Sequence, residues 1–180
     1  MLNINKANAI LDLVPYSEPN YVNTDIVSKY LLLEFFQEEE YIEYILNSQN
    51  PDGGFGLAKN YASDIIDTKL ALKALADLDE TEAITNAAMY IAALQNADGG
   101  FSYQKGLPSN PELTAEIADI FSDCIIKDQS LAYTLSDTLS NLNGYLDDNM
   151  PEIENLSENN LSEVYQHFHT ALFKLKTTGR

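Results

Sequence analysis

The sequence predicts an all-α fold built from repeated helical hairpins, on three observations. Gln49-Asn50-Pro51-Asp52-Gly53-Gly54-Phe55 recurs as Gln95-Asn96-Ala97-Asp98-Gly99-Gly100-Phe101, six of seven positions identical at a spacing of 95 − 49 = 46 residues. A segment returning at such a period marks a supersecondary unit laid down more than once. Downstream, Asp64 and Thr68 fall in register with Asn110 and Thr114 under the same offset, 110 − 64 = 114 − 68 = 46. Each Thr opens an apolar run at helical spacing, Leu70, Ala71, Leu72, Ala74 and Leu75 in one copy and Ala115, Ile117, Ala118, Ile120 and Phe121 in the other.

Taken in order along residues 1–180, read as one domain, the apolar periodicity places helices near 3–13, 23–36, 38–48, 64–78, 80–95, 112–124, 128–142 and 158–175, about four hairpins. Asn20 and Thr24 precede an apolar run at Ile26, Val27, Tyr30, Leu31 and Leu33, without a glycine turn before them. The best repeats cover 41–78 and 87–124. Asn141-Leu142-Asn143-Gly144 falls where a third turn would begin, 141 − 95 = 46, and Gln166 and Thr170 precede Ala171, Leu172 and Leu175 in the last helix. Residues 143–157 read as an irregular acidic loop. All six prolines, Pro151 among them, fall in expected loops, as continuous helices require.

The turn chemistry follows from residue type. Gly53-Gly54 and Gly99-Gly100 permit positive φ at a helix C-terminus, where a Cβ would be strained. Asp52 and Asp98 can accept from the backbone two residues on, and Phe55 and Phe101 return an aromatic ring to the core. Gln49 and Gln95 have the reach to bond backbone groups at a neighbouring helix end. A structural role is expected for all ten residues.

The pattern Q-x-x-D-G-G-F followed by D-x-x-x-T-x-x-A-L-x-A-L resembles the repeat of protein prenyltransferase β subunits and squalene/oxidosqualene cyclases. The strong match covers about residues 41–124. The resemblance implies helical hairpins stacked into an α/α toroid, an inner ring of helices inside an outer one, with Gln49 and Gln95 tying adjacent outer helices. It also implies Phe55 and Phe101 in place of the tryptophan common in cyclases. Four hairpins make a partial toroid against the family's six or so. The arc stays open, closes on a partner or belongs to a longer protein.

Composition fits such a domain. At 180 residues and 45% hydrophobic content the chain can bury one substantial core. Cys124 is the single cysteine, which excludes an intramolecular disulfide, and its place in an apolar helical run predicts a buried, inert thiol. No membrane-spanning run or signal peptide is read from the sequence, so the expected address is cytoplasmic, the alternative being a secreted protein expressed without its leader. The formal net charge of −18 disfavours nucleic acid and anionic membranes as partners. No Lys or Arg lies between Lys127 and Lys174, where eight acidic residues predict a solvated face.

Candidates for chemistry are few. Asp64-Ile65-Ile66-Asp67 lacks the D-x-D-D spacing of the triterpene cyclases. Asp64 and Asp67 share one helical face and could hold Mg²⁺, yet Asp64 stands at a helix cap, where a carboxylate bonds free N–H groups. His169-Thr170 reproduces one element of the prenyltransferase zinc site, with His167 nearby, while the in-register cysteine position is Thr114. A zinc centre of His167, His169, Cys124 and Asp123 needs the tertiary fold to reunite them. Lys69 and Lys73 read as a solvated outer stripe. No cofactor, no metal and no catalytic residue is expected. The expected function is a non-catalytic module binding a peptide, protein or apolar ligand on its concave face. The alternative is a reduced prenyltransferase or cyclase-like enzyme acting on an isoprenoid substrate. Exposed end helices predict homo-oligomers or docking to further domains.

Overall fold

The computed structural model describes residues 39–156 apart from positions 77 and 79. The expected helices near 3–13, 23–36 and 158–175, with His167 and His169, lie outside the described residues. The described residues are all-α: α1 Glu39–Leu46, α2 Ile65–Leu75, α3 Thr81–Ala92, α4 Pro111–Lys127, α5 Ser130–Thr134 and α6 Ser136–Leu156. Extended pairing among the described residues is confined to an isolated antiparallel bridge between Phe55 and Asp64.

Local chemistry sets the starts of α2 and α4. The Asp64 carboxylate accepts from the N–H groups of Ile66 and Asp67, both at 2.9 Å, so its capping role is as expected. Asn110 does the same for Leu113 at 2.8 Å, with Pro111 supplying a helical φ at the first position. α2 packs against α3, α4 against α6, and α2 against α4. Between them lie Phe55, Leu72, Leu75, Ile91, Phe101, Leu113, Ile117, Phe121 and Ile125, all fully buried. The two turn phenylalanines are closed off entirely, each removing apolar surface worth roughly 1.5–3 kcal/mol.

The C-terminal part departs from the sequence reading. Asn141-Leu142-Asn143-Gly144 is not a turn, and the expected loop over 143–157 is helical as far as it is described: Asn141–Gly144 and residues 143–156 fall on the long helix α6, which also carries Pro151. The reason is a lengthened connection. α4 ends at Lys127, Asp128 accepts from the Ser130 N–H at 2.9 Å, and the short α5 follows before α6 begins. The positions of α6 that face the second turn are therefore displaced by 55 residues, not 46, from those of α3 that face the first: Asn86 and Asn141 contact Gly53 and Gly99. At that displacement the glycine heptapeptide would fall on residues 150–156, Met-Pro-Glu-Ile-Glu-Asn-Leu. With no glycine there to leave the right-handed region, the helix continues through the position.

Candidate functional site

The two glycine turns carry the densest polar network among the described residues. In the first, Asn50, Pro51, Asp52 and Gly53 form a four-residue turn closed by the Gly53 N–H to the Asn50 carbonyl at 2.9 Å. Asn, Pro and Gly at its first, second and fourth positions are the residues such a turn favours. The turn is not a helix cap, since α1 ended at Leu46. The Asp52 carboxylate accepts from the Gly54 N–H at 3.0 Å and from the Ser63 hydroxyl at 2.8 Å. Asn50 Nδ2 donates to the Tyr61 carbonyl at 2.8 Å and to Ser63 Oγ at 2.9 Å. The buried Thr68 Oγ1 accepts from the Phe55 N–H at 2.8 Å.

The second turn repeats this bond for bond. Asp98 accepts from the Gly100 N–H at 3.0 Å and from Ser109 at 2.7 Å. Asn96 donates to Leu107 at 3.2 Å and to Ser109 at 2.9 Å, and Thr114 Oγ1 accepts from the Phe101 N–H at 2.9 Å. Each Gln then reaches out of its own turn. Gln49 Nε2 donates to the Gly53 carbonyl and to the Ala83 carbonyl of α3, both at 2.9 Å. Gln95 Nε2 donates to Gly99 at 2.9 Å and to Thr138 of α6 at 3.0 Å. The reach to a neighbouring helix is as the sequence predicts.

The paired glycines serve two purposes, which corrects the expectation of positive φ at all four. Gly53 and Gly99 hold φ of +85° and +89°, whereas Gly54 and Gly100 do not lie in that region. A Cβ on Gly54 would stand 2.6 Å from Ser63 Cβ and 2.9 Å from the Tyr90 ring, and one on Gly100 would meet Ser109 and Tyr145 as closely. Gly54 and Gly100 are there for close approach. Ser63 and Ser109, Asn86 and Asn141, and Tyr90 and Tyr145 thus belong to the network although the motif did not include them. The serines share the offset of 46 and were available as a signal; the other pairs are displaced by 55.

Electrostatics around the turns is mild. Burial, then the charges of Asp52 and Asp64, pushes the Tyr90 hydroxyl above its ordinary value. Burial, then Glu116 and Glu112, does the same for Tyr103. Lys69 is not on a solvated stripe: it is largely covered and pairs with Glu116, joining α2 to α4. Asp67 is buried on the first turn of α2, and Cys124 is buried on α4 as expected, while Asp123 of the same helix is exposed. A groove of about 290 Å³ beside the second turn is lined by Asp98, Pro108, Ser109, Pro111, Tyr145 and Asp148. A smaller cavity of about 80 Å³ lies against Cys124, Ile84 and Leu131. Among the described residues, no cluster of three or more His, Cys, Asp or Glu could hold a metal ion. No helix among them is long and apolar enough to cross a membrane. Compared with protein families, curated proteins and solved structures, the chain matches none.

Proposed function

We propose that the chain is a non-catalytic helical-repeat module of the prenyltransferase and cyclase type, an open arc of hairpins that binds a peptide, a protein or an apolar ligand on its concave face. The observation that carries this reading is the use made of the turn residues. Gln, Asn, Asp and the in-register Thr of both copies hold backbone and neighbouring helices, an assignment that fits scaffolding and leaves substrate chemistry no part in them. α2 and α4 would form the inner layer, with α3 and α6 hung outside them on the glutamine bonds. Such arrays present extended surfaces for recognition.

The test is incubation of the purified chain with farnesyl diphosphate and, separately, squalene, in the presence of Mg²⁺ and Zn²⁺, with products read by mass spectrometry. Hydrogen exchange in the presence of farnesol is read in parallel. No product and slowed exchange on α2 and α4 are expected. Release of diphosphate or formation of a cyclised hydrocarbon would replace the module with an enzyme.

A further inference from the structure

The loops that follow the two glycine turns share a second pattern, independent of the concave face. The Tyr61 N–H donates to Ala58 at 3.0 Å and the Leu107 N–H to Gln104 at 3.2 Å, closing a four-residue turn at the same place in each loop. The third residue of each is left-handed, Asn60 at φ +70° and Gly106 at +88°. The second residue is Lys59 in one and Lys105 in the other, both exposed. Leu57 and Tyr61 flank the first lysine, Tyr103 and Leu107 the second, each of the four about half exposed at 48–59% of its surface. Both tips are pinned from beneath, because Asn50 and Asn96 donate to the Tyr61 and Leu107 carbonyls.

Neither lysine forms an ion pair with a described residue, in a chain whose acidic residues outnumber its basic ones 28 to 10. Glu116 of α4 is engaged by Lys69. The two tips lie at one end of the hairpins, since α2 and α4 start directly after them and pack together. Packed helices sit roughly 8–10 Å apart, so the two loop tips are neighbours.

We infer that the paired loop tips are a docking surface for an acidic, apolar polypeptide segment, one that presents carboxylates to the two lysines with apolar side chains between them. Charge complementarity selects the partner. A continuous anionic membrane would meet the whole net charge of −18, whereas discrete carboxylates at the tips interact mainly within the Debye length of about 8 Å at physiological salt. Rigid turns fix the apolar pairs in place before binding, which lowers the entropy lost on association.

The experiment is selection of a random 16-residue peptide library on the full chain, followed by titration of the enriched peptides against the wild type and the K59E/K105E variant. Enrichment of peptides with carboxylates beside apolar residues is expected, with affinity falling at least about tenfold in the variant and also in L57S/L107S. Circular dichroism of these exposed-site variants should stay unchanged. Enrichment of basic peptides, equal affinity for K59E/K105E, or no enrichment would overturn the inference. So would binding to phosphatidylserine vesicles, or self-association by light scattering, that K59E/K105E abolishes while peptide binding persists.

Discussion

Replacing Gly99 by alanine separates backbone strain from crowding, because Gly106 supplies an internal control. The two residues have nearly the same φ, +89° and +88°, so alanine at either incurs a similar dihedral cost, about 1–2 kcal/mol. Their surroundings differ. A Cβ on Gly99 would stand 2.2 Å from the Asn141 carbonyl oxygen and 2.7 Å from its carbon, whereas one on Gly106 meets nothing within 4 Å. Backbone cannot rotate away as a side chain can, so α6 must withdraw by roughly 1 Å to restore ordinary contact. That withdrawal stretches the 3.0 Å bond from Gln95 Nε2 to Thr138, whose loss costs about 1 kcal/mol, and loosens the packing of α6 on α4. Gly99→Ala is therefore expected to destabilise by about 3 kcal/mol and Gly106→Ala by about 1 kcal/mol. At roughly 2–4 °C per kcal/mol for a domain of this size, the midpoints should differ by about 4–8 °C. Urea and thermal unfolding followed by circular dichroism measure both. Equal destabilisation within about 0.5 kcal/mol would mean that the close approach to Asn141 has no energetic consequence, and the account of the turn would fail.

Thr68→Val and Thr114→Val preserve shape but remove the hydroxyls that accept from the buried Phe55 and Phe101 N–H groups, so each should cost about 1–3 kcal/mol in urea melts. Asp64→Ala should cost about 1 kcal/mol, while Glu80→Ala at the start of α3, where no side-chain cap bond exists, should be near neutral; thermal melts of the pair test the cap. Gln49→Leu removes both donations from Nε2 and should speed hydrogen exchange in the first turn and in α3, leaving the second turn unchanged. Tyr90 is held neutral in the fold above its ordinary value of 10.0, so its contribution is complete below that pH and is lost as pH rises through the raised value. Tyr90→Phe should flatten this alkaline loss in pH-dependent melts.

What the sequence made legible is what local chemistry decides. Glycine, Asx turns and helix caps act within a few residues, so Asp52, Asp64 and the two heptapeptides could be read from residue type alone. The hydrogen bonds of Gln49 and Gln95 were foreseen in kind, but not their acceptors. Ala83 and Thr138 contribute only a main-chain carbonyl, which every residue owns, so no side-chain motif marks them. The α6 register was hidden for the same reason: what faces the second turn is a helix surface displaced by nine further residues, and identity at an offset of 46 points elsewhere. Residue type cannot separate a glycine needed for positive φ from one needed for close approach, hence the misreading of Gly54 and Gly100. Lys69 looked solvated because helical periodicity describes one helix and not the neighbour that carries Glu116.

The glutamine bonds also decide where the molecule can be cut. Sequence identity bounds the first repeat at 41–78, yet its turn is completed by Ala83, Asn86 and Tyr90 of α3, beyond that bound. A fragment ending after α2 would leave the Gln49 amide without its distant acceptor and the glycine pair without the surface it was shaped against. The smallest piece able to hold a native turn runs from α1 to the end of α3, and the next from α3 into α6. Truncations of this protein should therefore stop at the end of α3 or retain α6, and insertions belong within α5, at the junction where nine added residues have already been absorbed without disturbing the bonds on either side.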